Sequence, residues 1–402
     1  MGFEIPASVR PVRDAVHAFM TERVEPAEPV LRRGGDEAAA LVADLQREAK
    51  AEGLWALGHP KELGGGGLPF LDYVYVNEVQ GRSEFGQLAL GTYTLQDSLM
   101  LHRHAGEAQR ERFLKPLVQA EINPSFAMTE PGIASSDPTQ LRTTATLEDG
   151  EWVIRGRKWF TTFADRAAYT TVMCRTEPED APPHLAFSMI LVPTDTPGYT
   201  IVRDTPVLGL EGGHFEVVYD DVRVPEDNLL GPRGHGFVIA QERLGPGRIF
   251  HCMRFLGQAQ RAFDLMCARL HERTAFGEPL YKKQLLQQHV FDSYAEIQSA
   301  RLLTLQAAHK IDSGYHGLGA EARVEIGVIK VVAARMLNNV IDRAIQVHGA
   351  EGLTDDTPLG HMYRHARAGR IFDGPDEVHV TTTARRILRE YREGRNWEFA
   401  LR

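Results

Sequence analysis

Asp373 stands in the run Arg370-Ile-Phe-Asp-Gly-Pro-Asp-Glu-Val-His379. Apolar neighbours on one side and Gly-Pro on the other are a setting that raises a carboxylate pKa and makes a base of it. Such a base could take a proton from carbon, although the residues alone equally allow a helix-capping Asp. Two further segments offer groups to a flat polar ligand. Phe126-Ala-Met-Thr-Glu-Pro-Gly-Ile-Ala-Ser-Ser-Asp137 gathers hydroxyls and small residues in a loop that could bring N–H and O–H groups to a ligand. Thr, Ser and Asp also favour ordinary turns. In Gly156-Arg-Lys-Trp-Phe-Thr-Thr162, adjacent aromatics followed by hydroxyls could stack on a ring and bond its edge, or simply bury one aromatic in a strand. A fourth segment, Phe215–Gly231, reads as a final strand and a turn.

Other chemistries find no support. No GxGxxG and no GxxxxGK[ST] occurs. The run Gly64–Gly67 lacks the context of a phosphate loop and reads as a flexible surface turn. His361 and His365 have no cysteine or carboxylate at ligand spacing, so no metal is expected. Cys174, Cys252 and Cys267 are odd in number and read as reduced, mostly buried thiols of a cytoplasmic protein. A net charge of -9 argues against nucleic acid, which demands a basic face. No apolar run approaches a membrane span, and no export signal is evident at the N-terminus.

The elements that must position these residues fall into three zones, 1–122, 123–232 and 233–402. With 402 residues, 43% of them apolar, more than one core is expected. In the first zone Val9, Val12, Val16, Phe19 and Met20 recur at helical spacing, and a second helix starts near Asp36 and stops near Gly53. The middle zone alternates short β-branched runs with turn residues. Thr143–Leu147 and Trp152–Ile154 flank Glu148-Asp149-Gly150, a hairpin signal, and Tyr169–Met173, Ala186–Val192 and Phe215–Val224 are further strands. A barrel or sandwich is expected there. In the last zone, Ile329, Val332, Met336, Val340, Ala344 and Val347 form a helical stripe ending at Gly349.

In this order and spacing, the four segments resemble the acyl-CoA dehydrogenase family. Pro60-Lys-Glu-Leu-Gly-Gly65, Phe113-Leu-Lys-Pro-Leu117 and Arg273-Thr-Ala-Phe-Gly277 add to the likeness, which covers nearly the whole chain. Met-Thr-Glu-Pro with Ala-Ser-Ser-Asp, and Asp-Gly-Pro-Asp-Glu-Val-His, are most similar to the branch of family members ten and eleven. The resemblance implies an α+β fold: an N-terminal helical domain, a central β-domain and a C-terminal four-helix bundle, with FAD between the last two. It implies α,β-dehydrogenation of an acyl-CoA to a trans-2-enoyl-CoA, the base taking the α-proton and flavin N5 the β-hydride. It also implies an electron-transferring flavoprotein as acceptor and a homo-oligomer, most often a tetramer.

Residue by residue, the resemblance places Phe126, Met128, Thr129 and Ser135 along the flavin and pyrophosphate. Ser136 is extra relative to the commonest pattern and is assigned to substrate. Phe160 falls where the family usually has Trp beside the flavin, and Thr162 where a hydroxyl nears N5. Arg273, Phe276, Gln284, Gln346 and Gly349 match positions that reach a neighbouring subunit's FAD; Asp376 and Glu377 are also assigned to the cofactor. Arg248 and Gly374 are assigned to substrate, and Asp373 is the base. The usual base is Glu; some members carry it just before the arginine matching Arg248, where this chain has Gly247. Because the base is Asp, a nitroalkane oxidase-like enzyme stays open, as do an acyl-CoA oxidase and a non-catalytic scaffold.

Overall fold

The computed structural model describes residues 4–313 and 322–397. They form two compact units. One comprises the chain up to Gly58, Leu68–Leu90 and the chain from Gly245 onward; the other comprises His59–Gly67 and Gly91–Leu244.

The first unit is helical. Helix α1 (Arg10–Phe19) buries Val16 and Phe19, as their spacing predicts, and runs through a π-helical turn, Met20–Val24, into Glu25–Arg33. Helix α2 (Gly35–Ala51) takes Asp36 into its first turn rather than at its cap. Gly53, with φ +71°, turns the chain after its end. Helix α3 (Phe70–Gln80) is buried from Tyr73 onward. Helix α4 (Gly236–Glu272) belongs to this unit from Gly245 on. A Cβ on Gly257 would run into the Glu78 carbonyl, so glycine permits α3 and α4 to pack closely. Helices α5 (Gln284–Ser313), α7 (Leu359–Ala368) and α8 (Asp376–Arg392) each pack against α6 (Arg323–His348). In α6 the stripe from Ile329 to Val347 is largely buried, and Gly349 ends it at φ +67°. Two residues on α7, His361 and His365, meet the carboxylate of Glu84. Sequence spacing could not supply that carboxylate, because Glu84 lies far away in the chain.

The second unit is built on an eight-stranded sheet. Its strands are β1 (Pro124–Ala127), β2 (Thr144–Glu148), β3 (Glu151–Thr162), β4 (Tyr169–Arg175), β5 (Phe187–Pro193), β6 (Tyr199–Asp204), β7 (His214–Pro225) and β8 (Leu229–Leu230). The order is β6-β7-β3-β2-β4-β5-β8, with β1 parallel to β4. Asp149 and Gly150 both have positive φ, the backbone a two-residue hairpin turn requires. Both faces of the sheet are covered, so β4 and β5 are buried along nearly their whole length. Tyr169, Met173, Met189 and Leu191 pack with Leu101, Leu114 and Leu117 from the helices that precede the sheet. Val172, Cys174, Ile190 and Val192 alternate with them and pack with Trp152, Ile154 and Val217. Among the described residues no helix is long and apolar enough to cross a membrane.

The glycine run is not a loose turn. The Gly67 N–H donates to the carbonyl of buried His59 at 2.8 Å, and a Cβ on Gly65 would collide with that residue. Close approach to the His59 backbone accounts for Gly65, and positive φ for Gly64 and Gly67.

Candidate active site

In the helical unit, α7 gives way to a turn over Arg370–Gly374 and then to α8. Asp373 lies in this turn with φ +55°, and Gly374 follows with φ +99°. A left-handed non-glycine residue is costly and persists only where its surroundings hold it. Here the Asp373 carbonyl accepts from Arg248 Nε and from His379 Nε2, both at 3.1 Å. Buried Asp376, two residues past Gly374, accepts from Arg335 Nε at 3.0 Å and Arg370 Nε at 2.9 Å, which fixes the turn to the start of α8.

The Asp373 side chain meets α4. His251 Nε2 stands 3.0 Å from Asp373 Oδ2. Arg254 donates to His251 Nδ1 at 2.7 Å, so Nδ1 is an acceptor and the ring proton sits on Nε2, facing the carboxylate. Arg248, His251 and Phe255 recur at three- and four-residue steps, which places them on one face of α4. Phe372 lies against His251 (centroids 4.9 Å) and Phe255 (6.1 Å), with Lys330 Nζ 4.9 Å above its ring. Lys330 also donates to the Gly369 carbonyl at 2.6 Å. The setting is therefore both aromatic and cationic, not merely apolar as the sequence implied.

Burial drives the charge states here. Desolvation, reinforced by Arg254, pushes His251 down to about 4; desolvation and then Arg248 do the same to His379. Desolvation lowers Arg248 and Lys330 and takes Arg254 to about 10. It pushes the Cys252 thiol up to about 12, an inert neutral group.

In the sheet unit, Phe126 lies on β1 with the Arg243 guanidinium 4.5 Å above its ring, and Arg243 is held by Asp97. The Met128 carbonyl accepts from Lys158 and the Thr129 carbonyl from the Trp159 N–H. Lys158 Nζ is 2.8 Å from Glu130 in a fully buried ion pair, and Glu130 also accepts from the N–H groups of Arg142 and Thr143. This pair ties the loop after β1 to β3. Ser135 closes the loop, accepting from the Glu130 N–H at 3.0 Å; Ser136 is exposed.

The pairing of β3 with β7 slips between Lys158 and Thr161, where Phe160 adopts φ +51° and stays 39% exposed. The pairing slips a second time in the same strand, between Ile154 and Gly156. Phe160 packs edge-on to Trp159 and His214, and His214 Nδ1 meets the Thr162 hydroxyl at 3.1 Å.

Models of the acyl-CoA dehydrogenase N-terminal, middle and C-terminal domains match residues 7–121, 125–222 and 234–388. The chain belongs to the acyl-CoA dehydrogenase family. "Probable acyl-CoA dehydrogenase FadE2" of Mycobacterium tuberculosis is 46% identical, covering 96% of this chain and 97% of its own. Mouse acyl-CoA dehydrogenase family member 10 is 42% identical over 95% of this chain, which spans 37% of that protein; for rat member 11 the figures are 39%, 93% and 50%. A solved Mycobacterium abscessus homologue superimposes with TM-score 0.89 at 38% identity, covering 97% of this chain and all of its own. Butyryl-CoA dehydrogenase of Megasphaera elsdenii gives 0.83 at 26%, covering 96% and 100%.

As a member of this family the protein is an FAD-dependent oxidoreductase acting on acyl-CoA. The sheet unit fits a flavin. Among the described residues, Trp159 Nε1 and Thr161 Oγ1 are buried without hydrogen-bond partners, next to the exposed Phe160 ring. Arg273, Phe276, Gln284, Gln346 and Gly349 are all exposed in the helical unit. Phe276 sits at a two-residue hairpin tip, 98% exposed. Glu377 is exposed on the first turn of α8, whereas the Asp376 carboxylate serves its two arginines.

His251, Arg254, Lys330 and the Lys158–Glu130 pair were not singled out in the sequence. The one available signal was helical spacing, which puts His251 a turn beyond Arg248.

Proposed function

We propose that Asp373 takes the α-proton of an acyl-CoA thioester during α,β-dehydrogenation to a trans-2-enoyl-CoA. The observation that carries this reading is the presentation of Asp373: a left-handed turn clamped at its carbonyl by Arg248 and His379, with His251 directed at its carboxylate. His251 stands against one carboxylate oxygen and orients the group that is proposed to take the proton. The Asp373 N–H is the donor proposed for the thioester oxygen. Arg248 and Lys330 add positive potential where enolate charge develops. FAD, when bound, supplies the acceptor for the β-hydride.

Phe126, Met128, Thr129, Phe160 and Thr162 would hold the flavin, with Ser135 shaping their loop and exposed Ser136 the serine offered to ligand. An electron-transferring flavoprotein is the proposed acceptor. A homo-oligomer, most often a tetramer in the family, is proposed from the exposed apolar groups Phe276, Leu285, Phe291, Tyr294 and Leu353. The domain bounds at 122 and 232 and a cytoplasmic location are also part of this reading.

The test is anaerobic stopped-flow reduction with an acyl-CoA chain-length series, followed by exposure to oxygen. Bleaching by one length class with slow reoxidation is expected. Rapid reoxidation would favour an oxidase, bleaching by nitroalkanes instead would favour the Asp-based alternative, and no bleaching would favour a scaffold.

A further inference from the structure

Glu84 lies in the turn between α3 and the short helix Gly86–Ala89. His361 Nε2 is 2.5 Å from one of its carboxylate oxygens and His365 Nε2 is 2.9 Å from the other. The histidines are four residues apart on α7, so one helix face presents both rings, with centroids 4.6 Å apart. All three ligand atoms lie within 4.8 Å of one another. His361 Nε2 is buried yet makes no aligned hydrogen bond, despite its closeness to Glu84. The short approach is an ion-pair contact, and what the cluster offers an ion is three ligand atoms of the right kinds gathered at one point.

We propose that Glu84, His361 and His365 form a divalent-cation site of the zinc class. Two imidazoles and one carboxylate suit Zn2+, and the exposure of His365 leaves room for water as a fourth ligand. Arg32 Nε stands 3.9 Å from the same carboxylate, but Arg32 is itself held on Glu28. Its charge weakens the site without blocking it. A bound ion would fasten α7 to the turn after α3.

Holoenzyme treated with EDTA and then dialysed is titrated with Zn2+ by calorimetry, and its thermal midpoint is followed with and without Zn2+. One site per chain and a rise in midpoint are expected. Both should be lost in His361→Ala and in the conservative His365→Gln, whose flavin content and acyl-CoA reduction stay at the native level. Retention of a 1:1 site in both variants, or no binding by the native holoenzyme at millimolar Zn2+, overturns the proposal. If His361→Ala fails to fold, His365→Gln alone decides, because its side chain is exposed and its loss removes a ligand without opening the core.

Discussion

The Nε2 atom of His251 lies 3.0 Å from Oδ2 of Asp373, and Arg254 fixes which ring nitrogen carries the proton. With Asp373 as the proposed base, His251 is a positioning residue. His251→Ala should slow flavin reduction about 10–100-fold, the range expected when a close polar contact to a charged group is lost from a buried site. KM for acyl-CoA should stay unchanged. His251→Gln, which keeps a donor, should recover part of the rate. Arg254→Met frees the tautomer and should alter the pH profile of reduction. Stopped-flow rates across pH check all three; an unchanged profile in His251→Ala would remove His251 from the mechanism.

Asp373→Asn keeps shape and turn but cannot accept the proton. Flavin reduction should fall about 10²–10⁴-fold, with FAD content and CoA affinity near native. Gly247 offers no substitute carboxylate on α4. Bleaching at a near-native rate would locate the base elsewhere.

Lys158→Met strands the Glu130 carboxylate in the interior. Burial alone would raise that carboxylate; the Lys158 charge and bonds from Thr143 bring it below the usual range. Removing the lysine should cost about 3–5 kcal/mol, seen as a lower thermal midpoint and loss of FAD on gel filtration. Lys158→Met with Glu130→Gln should recover part of the midpoint, since the stranded charge is gone.

His251 and His379 are held near 4 against an ordinary 6.5, so both are neutral in the native protein. The unfolded chain binds protons at these histidines below 6.5, and the folded chain does not. Stability should be level above that pH and fall from about 6.5 to about 4, each histidine contributing on the order of 2 kcal/mol. Urea midpoints between pH 8 and 4.5 check this, and His379→Gln should flatten the slope.

Replacing Phe276 removes no intrachain burial, since the ring is 98% exposed. Phe276→Ser should leave the helical circular dichroism unchanged while lowering mass by light scattering and weakening FAD retention. A native-sized species with full flavin would show that the hairpin tip has no part in assembly.

Local patterns were legible in the sequence; long-range partners were not. The Asp149-Gly150 turn and the α6 stripe follow from short-range steric and periodic rules, and the structure places them as expected. The motif around Asp373 could be read because Gly-Pro and the acidic residues are contiguous. His251 and Arg254 reach Asp373 from another helix, and Glu84 reaches His361 and His365 the same way, so spacing along the chain says nothing of them. The slip at Phe160 was hidden as well, since a bulge depends on the partner strand β7. Gly64–Gly67 reads differently in the structure because what crowds it, His59 at Gly65 and Gln119 at Gly64, is not visible in the run itself.

The left-handed backbone of Asp373 bears on how this position can vary. Asp, Asn and Gly enter that region readily, β-branched residues do not, and Glu does so less easily than Asp. If Asp373 is the base as proposed, a library randomised at 373 would be sieved twice, first by handedness and then by acidity, and Asp is the common acid that passes both at the lower cost. A lineage drifting from this acid to the longer one would carry a larger backbone cost at this turn unless the turn changed with it. Side-chain length and backbone hand are inherited here as a single trait.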